Sequence, residues 1–131
     1  MKTTQFKQEI TVNANPTRVY DLLMDSRRHS ELTGSKAEIS KNVGEDFSVY
    51  DEYAHGKNIE LIPAKKIVQT WRADEADWPE DHYSIITFEL NAVPEGCKLT
   101  FYQREIPEAL AEKFKQGWKD NYWKPLKKLF K

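Results

Sequence analysis

Cysteine is nearly absent from this sequence, and so is any long apolar run. The single Cys97 excludes an internal disulfide and a metal site built from several cysteines. No stretch approaches the roughly 18 uninterrupted apolar residues of a membrane span. The N-terminus, Met1–Gln5, lacks the apolar run of a secretory signal. We therefore expect a cytoplasmic protein that does not insert into a membrane.

The chain also lacks an excess of charge of either sign. Its 20 basic and 21 acidic residues give a net charge of −1, which provides no support for nucleic-acid binding by the molecule as a whole. The charge is unevenly placed, because residues 106–131 carry a net +4 and the remainder a net −5. The basic segment favours an acidic partner, and simple solvation of a helix surface is the alternative.

Glycine is scarce, and no Gly/Ser linker or internal repeat divides the sequence. Only five glycines occur among 131 residues, a length that suits one ordinary domain. The hydrophobic content of 39% includes 16 Phe, Tyr and Trp residues, enough for an aromatic-rich core that needs neither disulfide nor metal. We expect residues 1–131 to form a single domain.

Apolar periodicity predicts the order of the elements. Residues 4–12 alternate between apolar and polar side chains, which indicates a half-buried strand. Asn15-Pro16 is typical of a helix start, and Asp25-Ser26 marks the cap of a second short helix that runs to about Thr33-Gly34. From Lys36 to Glu105 short alternating segments between Gly and Pro turns predict about six antiparallel strands.

The last segment, residues 108–130, has helical periodicity with a kink expected at Pro125. Trp118, Asn121 and Tyr122 fall on its broad apolar face at about 100° per residue. A curved antiparallel sheet wrapped around a long C-terminal helix buries the apolar faces of both. The predicted fold is therefore α+β, of the helix-grip type, with two short helices after the first strand.

Five ordered motifs in the second half of the chain resemble a known family. They are Lys66–Arg72 (KIVQTWR), Trp78–Glu80 (WPE), Glu105–Pro107 (EIP), Gln116–Trp118 (QGW) and Tyr122. Together they resemble the C-terminal domain of the activators of heat-shock protein 90 ATPase. Two upstream segments match the family pattern more loosely: Leu32–Gly34 (LTG) and Gly44–Phe47 (GEDF).

The resemblance implies membership of the START-related superfamily, also called SRPBCC, whose members hold a cavity between sheet and long helix. It implies a co-chaperone-like domain with a chaperone as partner. Two features depart from the pattern. The eukaryotic activators carry a separate N-terminal chaperone-binding domain, for which 131 residues leave no room, and the family's doubled glycine is Gly44-Glu45 here.

Aromatic side chains are the main candidate functional residues. One set is expected to line a cavity between sheet and helix, or else to fill it solidly: Phe47, Trp71, Tyr83, Phe88, Phe101, Trp118, Asn121 and Tyr122. A second set is expected to form an exposed partner-binding surface: Trp78, Trp123 and Phe130. Trp78 would anchor a basic partner surface, and for Trp123 and Phe130 the alternative is packing of the terminal turn against a sheet edge.

Catalytic and metal-binding patterns are not found. His29, His55 and His82 have no metal-ligand spacing and are expected at the surface or rim, and Cys97 is expected to be a buried, inert thiol. The acidic stretch 74–81 around Trp78 is expected to be a solvated loop. We predict no catalytic residues, metal or cofactor.

Three hypotheses for the function follow. The first is a non-enzymatic interaction domain that binds a chaperone or another protein. The second is a binding protein for a small hydrophobic or aromatic ligand, which requires an internal void of several hundred cubic ångströms. The third is an enzyme of the cyclase or hydrolase kind, which requires at least two titratable groups inside the cavity.

Overall fold

The computed structural model describes all residues from Met1 to Lys131. Seven strands form one antiparallel sheet in the order β1-β7-β6-β5-β4-β3-β2. The strands are β1 (Thr3–Val12), β2 (Glu38–Ile39), β3 (Asp46–Val49), β4 (Ala54–Ile62), β5 (Lys66–Ala73), β6 (Ser84–Val93) and β7 (Gly96–Pro107). The predicted α+β class is confirmed, with six strands between the two helical parts of the chain.

The two short helices after β1 are α1 (Pro16–Met24) and α2 (Ser26–Thr33), and both begin at a side-chain cap. Asn15 Oδ1 accepts a hydrogen bond of 2.9 Å from the backbone N–H of Arg18. Asp25 Oδ2 accepts one of 2.9 Å from the backbone N–H of Arg28. The second helix ends at Gly34, whose φ of +75° lies in the left-handed region that favours glycine. Both predicted helix starts are confirmed.

One continuous helical segment, residues 111–129, lies in the concavity of the sheet and is called the C-terminal helix here. A 3₁₀ turn (Glu108–Leu110) leads into it. It consists of α3 (Ala111–Trp118), a π-helical turn (Lys119–Trp123) and α4 (Lys124–Leu129). None of the helices is long and apolar enough to cross a membrane.

The kink expected at Pro125 takes the form of the π-helical turn, Lys119–Trp123. A proline has no N–H to donate, so the carbonyl oxygen of Asn121 loses its usual partner one turn earlier. Tyr50 supplies a replacement, because its hydroxyl donates to the Asn121 carbonyl oxygen over 3.2 Å. The predicted interruption therefore lies in the turn before Pro125 and widens the helix there to i→i+5 bonding.

Widening the helix moves Trp123 from the outer side to the sheet side. The side chains of Trp118, Tyr122 and Trp123 are all buried, and the π-helical turn that contains the last two broadens the buried face of the helix. Of the two alternatives for Trp123, the exposed partner surface is therefore wrong, and packing against the edge of the sheet is what the structure has. The expectation that Asn121 faces inward is wrong for the same reason, since it is exposed.

The other two residues of the expected partner surface are also buried. Trp78 is 3% exposed and packs on the rings of Trp71 and Phe114 at centroid distances of 5.7 and 5.9 Å. Its indole N–H donates to the carbonyl oxygen of His82 over 2.8 Å, so the acidic loop folds back over its own tryptophan. Phe130 is 8% exposed because the chain leaves helical geometry there and turns its ring towards the body of the protein.

Gly56 in β4 leaves the least room for a side chain among the five glycines. A Cβ atom at this position would lie 1.9 Å from the carbonyl oxygen of Thr70 in β5. Gly117 in α3 offers the opposite case, since a Cβ there would meet only Asn121 Nδ2 at 3.9 Å. The two glycines form a matched pair of sites for substitution.

Gly56→Ala is expected to lower the free energy of unfolding by about 3 kcal/mol, because β4 and β5 must separate to admit the methyl group. Gly117→Ala is the control, and it should leave the stability unchanged or raise it by up to about 1 kcal/mol. Urea denaturation followed by tryptophan fluorescence measures both. Equal stabilities of the two variants would contradict the close approach at Gly56.

Candidate functional site

The space between the sheet and the C-terminal helix is occupied by aromatic rings that centre on Trp118. The Trp118 ring lies 4.3 Å from Phe101, 4.8 Å from Tyr122, 5.7 Å from Trp71 and 5.8 Å from Trp123, between centroids. All five residues are buried. Contacts of this kind add roughly 0.5–1.5 kcal/mol per pair beyond the burial of area.

A chain of hydrogen bonds between side chains fixes the orientation of this cluster. The Trp118 indole N–H donates to Gln103 Oε1 over 2.9 Å, and Gln103 Nε2 donates to Ser84 Oγ over 3.0 Å. The Ser84 hydroxyl donates to the carbonyl oxygen of Trp71 over 2.7 Å. Gln103 and Ser84 are each 0% exposed, so every link in the chain is shielded from water.

The interior retains only a small void, of about 20 Å³. That volume suits about one water molecule. Five of the eight residues predicted to line a cavity do border this void: Phe47, Trp71, Phe88, Trp118 and Tyr122. The structure thus has the predicted rings in the predicted place, but they fill the space that a large ligand would need.

The remaining three predicted cavity residues lie elsewhere. Phe101 packs behind Trp118 and does not border the void. Tyr83 is 38% exposed on the opposite face of the sheet, where its ring lies 5.8 Å from that of His55. Strict alternation explains this, because the inward side chain at that end of β6 is the neighbouring Ser84. Asn121 is exposed on the C-terminal helix.

A buried imidazole is the unexpected polar group of the interior. His29 is 5% exposed, so the expectation that it lies at the surface is wrong. Its Nδ1 lies 3.0 Å from the carbonyl oxygen of Leu23 and its Nε2 lies 2.7 Å from Tyr122 Oη. Because a carbonyl only accepts, the proton is on Nδ1, and Nε2 accepts the hydrogen bond of the Tyr122 hydroxyl.

Burial controls the protonation of both partners. It lowers the pKa of His29 below its ordinary value and raises that of Tyr122 well above its own. Both groups are therefore neutral near pH 7. The two titratable groups that an enzyme would require thus exist in the interior, although the void beside them has no room for a substrate.

A second pocket, of about 130 Å³, opens between the C-terminal helix and the turn that joins β3 to β4. Its lining includes six aromatic rings, those of Tyr50, Tyr53, Trp71, Phe114, Trp118 and Tyr122. Gly117 and Asn121 complete the helix side, and the missing side chain of Gly117 leaves the space open. We call this space the rim pocket.

An ion-paired network holds one wall of the rim pocket. Glu75 accepts hydrogen bonds from the Tyr53 hydroxyl and from Lys113 Nζ, both at 2.5 Å. The Lys113 bond, followed by that of Tyr53, holds the pKa of the Glu75 carboxyl below its usual range. One acidic residue of the loop that was expected to be solvated therefore ties that loop to the β3–β4 turn and the C-terminal helix.

The other wall of the rim pocket contains unusual backbone geometry. Tyr50, Asp51 and Glu52 have φ values of +53°, +55° and +71° in succession. Non-glycine residues in the left-handed region each cost of the order of 1 kcal/mol. The turn stays in place because the Asp51 N–H donates to the Lys36 carbonyl oxygen over 2.8 Å and the Tyr50 hydroxyl bonds to the helix.

Several residues of these sites escaped the sequence analysis. Gln69 and Gln103 each lie two residues from a predicted cavity residue, Trp71 and Phe101, and so share its side of the strand; a polar side chain at such a position was the available signal. His29 lies beside polar neighbours in α2 and gave no such signal. No group of three or more His, Cys, Asp or Glu side chains is arranged to hold a metal ion.

The fold and its aromatic interior define a helix-grip protein of the START-related class. The profile of the family described as Activator of Hsp90 ATPase homolog 1-like protein matches residues 13–131. The chain belongs to this family, as the resemblance of its motifs implied.

Relatives of known name and a solved structure agree with that assignment. The chain is 31% identical over 129 residues to the activator of 90 kDa heat shock protein ATPase homolog of Dictyostelium discoideum, covering 98% of this chain and 33% of that protein. It is 28% identical over 120 residues to homolog 1 of Homo sapiens, covering 92% of this chain and 35% of that protein. It therefore spans about a third of the length of these relatives.

The crystal structure of an HSP90 activator from Plasmodium falciparum has the same fold. It superposes with a TM-score of 0.84 at 27% identity, covering 91% of this chain and 90% of that chain. The likeness extends over the sheet and the C-terminal helix together, so the helix-grip arrangement is common to both proteins.

Acidification is expected to destabilise the protein through His29. Its folded pKa is depressed, so below about pH 6.5 the unfolded chain binds a proton that the native state does not. The stability contributed above about pH 6.5 is therefore lost as the pH falls towards the folded pKa. Urea unfolding measured between about pH 8 and pH 5 tests this.

His29→Gln should be less stable than the parent protein at pH 8 but should lose less stability on acidification. His55→Gln is the matched control, since it removes a histidine that contacts Tyr83 and leaves the Leu23 and Tyr122 contacts of His29 in place. The same slope in the parent protein and in His29→Gln would contradict a neutral buried imidazole.

Proposed function

We propose that this protein is a non-enzymatic, co-chaperone-like binding domain that engages a chaperone of the Hsp90 type. The match of the family profile to residues 13–131 carries the proposal. Two relatives at 31% and 28% identity are named as activators of the 90 kDa heat shock protein ATPase. The proposal is limited to a binding domain because the chain corresponds to about a third of each relative.

The filled interior supports a role at the surface over one inside the fold. A void of about 20 Å³ leaves no space for a substrate beside His29 and Tyr122. Moving the rings aside would break the hydrogen bond between Trp118 and Gln103. Protein partners, in contrast, need only the outer faces of the domain, which carry most of its charged side chains.

Mixing the protein with a purified Hsp90-type chaperone should give a complex and a changed ATPase rate. Isothermal titration calorimetry measures the first, and phosphate release measures the second. Phosphate release that persists with an inhibitor of the chaperone's ATPase is subtracted as background. One eukaryotic and one bacterial chaperone are tested, because the two relatives described above, from Dictyostelium discoideum and Homo sapiens, are both eukaryotic.

The absence of a complex at about 50 µM with either chaperone, together with unchanged ATPase rates, would contradict the proposal. Binding without a change in ATPase rate would support a docking domain and contradict a co-chaperone-like effect of this chain by itself.

The rim pocket favours a second candidate function, the binding of a small aromatic ligand. Its volume of about 130 Å³ is close to the roughly 150 Å³ of an apolar cavity that binds benzene. The Tyr50 and Tyr53 hydroxyls and the Asn121 side chain offer polar contacts at its edge. A compound with one ring and one polar group fits this lining.

Phenol is expected to bind in the rim pocket with a dissociation constant in the millimolar range, about −4 kcal/mol. The indole resonances of Trp71 and Trp118 should shift on addition of phenol in two-dimensional NMR spectra. Gly117→Leu should abolish the shifts because its side chain occupies the pocket, whereas Gly117→Ala should largely retain them. Unchanged shifts in Gly117→Leu would place the ligand elsewhere and contradict this candidate.

A further inference from the structure

Strand β1 is a long edge of the sheet with no partner on its outer side. It pairs only with β7, from Thr3 to Val12, whereas the opposite edge strand, β2, has just two residues. About half of the N–H and C=O groups of β1 therefore point away from the sheet. Such an edge is able to pair with an additional strand.

The C-terminal helix runs beside this free edge over most of its length. The Phe6 ring lies 5.9 Å from Lys115 Nζ at one end, and the Asn13 N–H donates to the Phe130 carbonyl oxygen over 3.2 Å at the other. Gln8 joins the two elements in the middle, since its Nε2 donates to the Lys115 carbonyl oxygen and its Oε1 accepts from the Trp123 indole. Strand and helix each cover about 22–23 Å between these ends.

The groove between this edge and the helix is strongly basic. Its volume is about 630 Å³, and five consecutive strand residues and five helix residues line it: Phe6, Lys7, Gln8, Glu9, Ile10, Lys115, Lys119, Trp123, Lys124 and Lys127. Five of these are lysines, and Glu9 is the single acid. We call this space the edge groove.

Some charged side chains of the edge groove form ion pairs within the protein, and others do not. Glu9 is paired with Lys98 of the neighbouring strand at 2.9 Å and with Lys7 of its own strand at 3.9 Å. Lys115 and Lys124 are paired with acids of their own helix, both on exposed surface. Lys119 and Lys127 are exposed and make no ion pair, so they leave positive charge beside the free strand edge.

We propose that the edge groove binds an extended acidic segment of a partner protein, which adds to β1 as an eighth strand of the sheet. In a strand the side chains on one face repeat every 6.6–6.8 Å or so. Lysines four residues apart on the helix, such as Lys115 and Lys119, rise by about 6 Å. Carboxylates at alternate positions of the added strand therefore meet successive lysines, and the backbone of the segment pairs with β1.

Charge selects this occupant over a second copy of the chain. Two copies paired through β1 would bring their rows of lysines together, which is repulsive. Half-buried Phe6 and Ile10 lie on the groove side of β1 and favour a segment with some apolar side chains. The inference concerns the surface and holds whichever protein carries the segment, so it stands apart from the chaperone proposal.

A peptide of about eight residues that alternates Glu and Val is the probe. It should bind with a measurable affinity that falls as salt is raised, and its binding should shift and protect the backbone amides of β1 in NMR spectra. The same peptide with alternate amides N-methylated keeps its charge but cannot complete a strand, and it should bind at least about tenfold more weakly. Equal affinity of the two peptides would overturn strand addition.

Two lysine variants test the charge. Lys119→Glu combined with Lys127→Glu should weaken peptide binding at least about tenfold without loss of stability, since both side chains are exposed and unpaired. Lys128→Glu is the matched control on the same helix, because its side chain borders a different groove and should leave binding unchanged. Equal weakening by both variants would overturn the proposal.

Two other results would also overturn it. Single-stranded oligothymidylate binding the edge groove more tightly than the peptide would show a nucleic-acid surface instead. Dimerisation of the free protein, seen by sedimentation and competed away by the acidic peptide, would show that a second copy occupies the edge.

Discussion

The contact of the Trp118 indole with the concave face of the sheet is the constraint on which the rest of the structure depends. Its ring lies 4.3 Å from Phe101, and its N–H reaches Gln103, which is 0% exposed. Dispersion contacts alone would allow the helix to slide or rotate along the apolar face. The hydrogen bond to one buried amide allows a single position, because any other leaves both polar groups unsatisfied. The distance between helix and sheet, and with it the volume of the interior, follows from that position.

Pro125 extends the influence of this contact to the surface. With Trp118 fixed, the widened turn that precedes the proline brings Trp123 inward, where its indole N–H meets Gln8 of the edge strand at 2.7 Å. The same turn presents the Asn121 carbonyl oxygen to Tyr50. One irregular turn thus joins the helix to β1 on one side and to the left-handed β3–β4 turn on the other. The strained backbone of the β3–β4 turn is thus held in place by contacts with other parts of the fold, such as the C-terminal helix.

Because side chains alternate along a strand, the sequence predicts most of the fold and the sheet side of the interior. The inward positions of β5, β6 and β7, including Trp71, Phe88 and Phe101, follow from a period of two and are buried as predicted. The helix was harder, because a period of 3.6 residues fails wherever the hydrogen bonding changes to i→i+5. For that reason Asn121 was predicted to face inward and is exposed, and Trp123 was predicted on the outer side and is buried. No local pattern shows how wide a turn before a proline will be.

Other properties of the site depend on partners distant in sequence. His29 becomes an interior group only because Tyr122, 93 residues later, offers a hydroxyl to its Nε2. The Glu75 side chain is bound and not solvated, because Tyr53 and Lys113 donate hydrogen bonds to it from two other parts of the fold. Such contacts are set by the tertiary arrangement, and a single sequence does not show them.

The energetics of the interior favour functions at the surface of this domain. Opening the space around the void requires displacing Trp118, at a cost near the roughly 3–5 kcal/mol of deleting a buried tryptophan. It also leaves Gln103 without its partner, which costs about 1–3 kcal/mol more. A millimolar ligand contributes only about 4 kcal/mol and would not offset this. The rim pocket and the edge groove are open without any such displacement. The C-terminal segment that borders the edge groove is positively charged, whereas the rest of the protein has a net charge of −5. Binding therefore requires the least rearrangement where the helix meets the edges of the sheet.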